Sequence, residues 1–171
     1  MSFKRPRRTD AGTILLGMSR IVFLILMLGL SLPGAGQTSQ SPQAEVQVAF
    51  QQFAQAFENL DWEKFRTSFA DDATVFFPRG VPGRADGRAQ YEAKFKVVFE
   101  QLKSGKSGPP YHLIRPKNLE AQMLGSDVAI ITFHLEDRPG MLNRRTIVFC
   151  KRPDGWKIVH LHASEVSLPA Q

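Results

Sequence analysis

Apolar residues in this chain keep a helical period as far as Leu102 and a strand period from Tyr111 onward, so helices come first and a meander of strands follows. In the first part Val46, Phe50, Phe53, Phe57 and Leu60 recur at spacings of four, three, four and three, which lays them along one face of a helix. Ser41 and Pro42 supply its N-cap and its first helical position. Asp61 can cap a second, short helix whose Trp62, Phe65 and Phe69 pack inward. Ala73 to Phe77 reads as a short strand stopped by Pro78, and the Gly-, Pro- and Arg-rich stretch through Gly87 reads as an exposed loop. A third helix is expected from about Ala89 to Lys103, with Tyr91, Phe95, Val98, Phe99 and Leu102 as its stripe. Strands are then expected at roughly 111–123, 127–137, 142–152 and 156–167, punctuated by Gly125-Ser126, Arg138-Pro139-Gly140 and Pro153-Asp154-Gly155. This order gives an α+β domain with its helices on one face of an antiparallel sheet.

The formal charge of +6 over 171 residues invites a nucleic-acid partner, but the placement of the charge argues against one. Lys4, Arg5, Arg7, Arg8 and Arg20 precede or interrupt an apolar run, Ile21 to Leu30, that is followed by the small, turn-prone Ser31 to Gly36. Residues 1–36 therefore read as a signal peptide cleaved near Gly36, which implies a periplasmic or secreted protein. The run is short of the roughly 20 residues a spanning helix needs, so contact with a membrane is expected only through this segment, if it stays uncleaved. Arg7-Arg8 lacks the hydrophobic continuation of a twin-arginine signal, and no cysteine near the cleavage site offers a lipid anchor. Without residues 1–36 the chain keeps 17 basic and 15 acidic residues, a net +2, and no nucleic-acid partner is expected. Residues 37–43 read as a linker, and Cys150, the single cysteine, reads as a small inert hydrophobe in a strand.

The final strand concentrates the side chains with chemistry. Alternation with period two puts Trp156, Ile158, His160, His162 and Ser164 on one face. The whole ending, Gly-Trp-Lys-Ile-Val-His-Leu-His-Ala-Ser entered through Pro153-Asp154-Gly155, resembles the closing strand of SnoaL-like domains in the nuclear-transport-factor-2-like superfamily. The resemblance covers roughly 44–168 and implies a cone-shaped, cystatin-like α+β fold with three N-terminal helices packed on a curved antiparallel sheet.

Two subfamilies refine the expectation. Phe69 to Val75 resembles the corresponding stretch of bacterial ketosteroid isomerases, which need a carboxylate base before the proline that ends their first strand and a tyrosine on helix one. Here those positions are Phe77 and Phe53, so the resemblance implies the fold and argues against that reaction. Asp127 to Ser164 resembles the association domain of calcium/calmodulin-dependent protein kinase, whose pocket is lined by arginines. Alignment puts His134 at one such position and Arg145 two residues before the other, with the same strand parity. Many SnoaL-like relatives pair an arginine before a Thr-x-Val strand with the closing His-x-Ser, a pattern that Arg145, His162 and Ser164 match.

The expected site is an apolar cone that holds a small organic molecule, polar or carboxylate-bearing. Arg145, His160, Ser164 and Tyr91 are its ligand-binding residues, and His162 or His134 the acid/base of any isomerase, cyclase or dehydratase chemistry. A metal site built from His160, His162, His134 and Glu136 is the less favoured reading, and no cofactor is expected. The competing class is a non-catalytic ligand-binding or oligomerisation module. In either case a homodimer is expected, packed through the outer sheet face with Val159, Leu161 and Ala163 directed outward. His112, beside Tyr111, shows no partner in the sequence.

Overall fold

The Ser41 hydroxyl accepts the amide of Ala44 at 3.3 Å and Pro42 occupies the first turn, so α1 (Pro42–Glu58) starts where cap and spacing require. The computed structural model describes residues 41–78, 82–136 and 139–169. The signal segment and most of the linker expected at 1–43 lie outside them. Asp61 caps α2 (Trp62–Thr67) by accepting the Lys64 amide at 3.2 Å. Then come β1 (Phe69–Phe76), β2 (Arg84–Asp86), α3 (Gly87–Lys103), β3 (Lys117–Met123), β4 (Val128–Leu135), β5 (Met141–Arg152) and β6 (Gly155–Ser167).

The strands form one curved sheet in the order β2-β1-β6-β5-β4-β3. Neighbours are antiparallel except β1 and β6, which run parallel because the whole of α3 and the meander separates them in the chain. Pro153 presets the β5–β6 turn and Gly155, at φ +110°, completes it. The helices cover the inner face. Phe50 of α1 meets Phe133 of β4 edge-on at 5.4 Å, and Phe65 of α2 lies 4.7 Å from Phe95 of α3.

β1 begins at Phe69, which the sequence reading puts on the second helix, rather than at Ala73. Two further stretches differ. β2 forms inside the segment read as loop, where Val75 and Phe76 pair with Ala85 and Arg84. β3 begins at Lys117 rather than near Tyr111, because the preceding residues spend their amides on the end of α1. Tyr111 and His112 donate to the Glu58 carbonyl at 2.7 and 3.3 Å, and Ile114 donates to Glu58 Oε1 at 2.7 Å.

The last difference decides where the site lies. Phe149 pairs with Ile158 but Val148 pairs with His160, so Val159 is an extra residue in β6. A bulge of one residue reverses the side-chain parity beyond it. Trp156 and Ile158 face the core before it, and Leu161 and Ala163 face the core after it. The outward set expected at the dimer face is thereby corrected: Leu161 and Ala163 are buried, and Val159 packs against the core.

Candidate functional site

A cavity of about 180 Å³ remains between α1, α3 and the inner face of the sheet. Phe53 and Phe57 of α1, Phe77 and Pro78 after β1, and Phe95, Val98 and Leu102 of α3 form one side. His112 and Ile114, Phe133 and Leu135 of β4, Arg145 and Ile147 of β5, and Leu161 and Ala163 of β6 form the other. Burial alternates regularly along β4, and Asn143, Ile147 and Phe149 are buried in β5, so strand parity turns Arg145 inward beside its register partners Phe133 and Ala163. One of its terminal nitrogens donates to the Arg144 carbonyl at 3.0 Å. Phe53 and Phe77, which stand where a ketosteroid isomerase keeps its tyrosine and its base, both line this space with hydrocarbon.

His112 is the histidine the sequence reading set aside. The Glu58 hydrogen bonds fix its backbone at the end of α1, and its ring stands edge-on to Phe57 with centroids 5.9 Å apart. The partner lies 54 residues earlier in the chain, and no local pattern announces it.

The other histidines are outside. Beyond the bulge, His160, His162 and Ser164 share the outer face with Thr74, Phe76, Thr146 and Val148. Thr74 Oγ1 lies 2.7 Å from His160 Nδ1, and the Phe76 ring lies 5.4 Å from that of His162. His134 alternates with the inward Phe133 and Leu135 and therefore also points outward, where Nδ1 meets the Asn118 amide at 3.4 Å. Acid/base work by His134 or His162 inside the cone does not fit these positions, nor does ligand contact there by His160 or Ser164. Burial, then the neighbouring His162 and Arg84, holds the His160 pKa below the usual histidine range.

Tyr91 is likewise displaced from its expected role. It is fully buried, stacked on Phe69 at 5.1 Å, and its hydroxyl donates to the Ala70 carbonyl at 3.2 Å. Burial pushes its pKa up to about 12. It is a core residue and does not line the cavity. As for the metal reading, no group of three or more His, Cys, Asp or Glu side chains is placed to hold a metal among the described residues.

Helices laid into the concave side of a curved, unclosed six-stranded sheet, with a small apolar cavity between them, are the architecture of a cystatin-like domain of the nuclear-transport-factor-2-like class. The chain belongs to the SnoaL-like domain family, whose model matches residues 46–169. No curated protein matches the sequence. Three solved structures are similar in fold. A cystatin-like fold protein from Burkholderia xenovorans is 21% identical, with a TM-score of 0.57 over 75% of this chain and 94% of that one. A provisionally assigned ketosteroid isomerase from Shewanella frigidimarina is 22% identical, with a TM-score of 0.56 over 72% and 97%. The hub homology domain of calcium/calmodulin-dependent protein kinase II from Chlamydomonas reinhardtii is 24% identical, with a TM-score of 0.56 over 76% and 100%.

Proposed function

We propose that this chain is an exported small-molecule-binding domain that works as a homodimer and holds its ligand in the cone between α1, α3 and the inner sheet face. Arg145 carries the reading. It is a permanently charged guanidinium on a wall built, His112 apart, from phenylalanines and aliphatic side chains, and a charged group in a concave apolar site orients a ligand. Export rests on the pattern of residues 1–36. Dimerisation rests on the outer face, where Phe76 and Val166 are 38% and 37% exposed, and on the likeness to a domain named as a hub.

A second, catalytic reading is favoured by one observation, the presence of His112 on the cavity wall. Proton transfer of the isomerase, cyclase or dehydratase kind would then use His112, with Arg145 stabilising developing negative charge.

Thermal melting of the chain against small carboxylates, aromatic ketones and sterols tests the main reading, since a ligand of the native state raises the midpoint. The expected result is a shift that Arg145→Ala abolishes and His162→Ala leaves intact. A flat panel contradicts it and favours an assembly module without a ligand.

A further inference from the structure

We infer that the chain carries a second binding site, outside the cone, for a neutral oligosaccharide lying along α1. Phe53 and Phe57 of α1 look into the cone, and a neighbouring stripe of the same helix walls a separate groove of about 540 Å³. Its other walls are α2 and the turn into β6. That volume lies within the range of about 300 to 1,000 Å³ typical of small-molecule sites.

The charged groups of the groove are already paired. Glu45 accepts from the Lys151 ammonium and, at 2.9 Å, from Trp156 Nε1. Asp61 lies 2.9 Å from Lys64. Lys157 lies 3.0 Å from Asp154 and donates to the Thr67 carbonyl at 2.8 Å. Hydrogen bonds from Lys151, Lys64 and Lys157 hold the carboxyl groups of Glu45, Asp61 and Asp154 below their usual pKa, so these pairs stay ionised and matched at neutral pH. A charged ligand would have to displace one of them.

The groups left over are neutral. Gln52, Gln55 and Asn59 line the groove at helical spacings of three and four, which sets their amides about 4.5 and 6 Å apart along the helix axis. All three residues are exposed, and none of the three side chains makes a hydrogen bond or an ion pair among the described residues. An amide both donates and accepts, as a hydroxyl does, so this row matches a row of hydroxyl groups. Val48, Ala49, Ala56 and Gly155 complete the lining and form no side-chain pockets, a surface suited to the C–H face of a sugar ring. Asn59 also borders an adjoining hollow of about 420 Å³ that contains Trp62 and Tyr111, amphipathic rings on which a further sugar can lie. An extended peptide fits less well. Its groups along one edge recur about every 6.6 Å, which the Gln52–Gln55 step does not reach, and its side chains find no pockets.

The test is NMR of the full, isotope-labelled chain titrated with the neutral trisaccharides maltotriose, cellotriose and chitotriose, beside the charged trigalacturonate and the peptide tetra-alanine. At least one neutral trisaccharide is expected to move the side-chain amide signals of Gln52, Gln55 and Asn59, and the charged sugar and the peptide are expected to leave them in place. Gln55→Ala, at an exposed position, is expected to keep the melting midpoint and to weaken that trisaccharide about fivefold, the scale of one neutral hydrogen bond. Failure of every neutral trisaccharide to bind overturns the site, as does an affinity that Gln55→Ala leaves unchanged. Shifts confined to Phe133 and Leu161 would put the sugar in the cone and overturn it too. An equal response to trigalacturonate or to tetra-alanine overturns the ligand class. The groove shares no lining residue with the cone, so the binding function proposed above stands or falls separately.

Discussion

Arg145 and His162 are near neighbours on adjacent strands, yet they serve opposite faces of the sheet, because Arg145 pairs with Ala163 and His162 with Thr146. The resemblance, with the strand parity of the aligned position, puts Arg145 in the pocket, and it points inward; the same alignment puts His134 there, and on the unbroken β4 it points outward. Simple alternation misplaced His162, since one inserted residue upstream inverts it. Substitutions should register the difference. Leu161→Ala is expected to cost about 2–5 kcal/mol in urea unfolding, and His162→Ala less than about 0.5 kcal/mol. Equal costs would contradict the bulge. Tyr91 shows another limit of residue-level reading. A helical stripe says that a side chain points inward, but not whether it meets packed core or open cavity. Tyr91→Phe removes one buried hydrogen bond, to the Ala70 carbonyl. It is expected to cost about 1 kcal/mol and to leave ligand affinity unchanged.

Elements with local causes were legible. The cap at Ser41, the cap at Asp61 and the Pro-Asp-Gly turn each act within a few residues, and the elements they bound appear close to their expected limits. Elements with distant causes were not. β2 has three residues and exists because β1 offers it an edge, and the stretch before β3 is held by Glu58. The bulge belongs to this second kind, since its evidence is the register of two strands and not the composition of one. Deleting Val159 would restore strict alternation in β6 and expel either Trp156 and Ile158 or Leu161 and Ala163 from the core. The expected loss is more than about 3 kcal/mol, read as a lower urea midpoint, and a deletion variant as stable as the parent would contradict this structure of β6.

For the whole molecule, the outward His160 makes pH a variable of both stability and association. His160 has a lowered pKa in the folded chain, so as pH falls the unfolded chain takes up its proton first. The stability it contributes is complete above the ordinary histidine value of about 6.5 and is lost as pH falls from there through the folded pKa. Glu45, Asp61 and Asp154 also have lowered pKa values, but their contribution fades only below the carboxylate range, so the two windows separate. The melting midpoint is expected to drop between pH 7 and 5.5, and His160→Gln is expected to flatten that drop. Protonating His160 also charges the face proposed for dimerisation. Sedimentation is therefore expected to show dimer at pH 7.5 and a shift toward monomer at pH 5.5, and a species unchanged between the two would argue against that face. All these expectations follow from one division of the molecule, a ligand in the cone and histidines outside it. The chain has four histidines, which makes that division directly visible by side-chain NMR of the full, untagged protein labelled at histidine. Adding a compound that raises the melting midpoint at pH 7.5 is expected to move the ring signals of His112 and leave those of His134, His160 and His162 in place. Movement of His160 and His162 with His112 unmoved would put the ligand on the outer face and contradict the account.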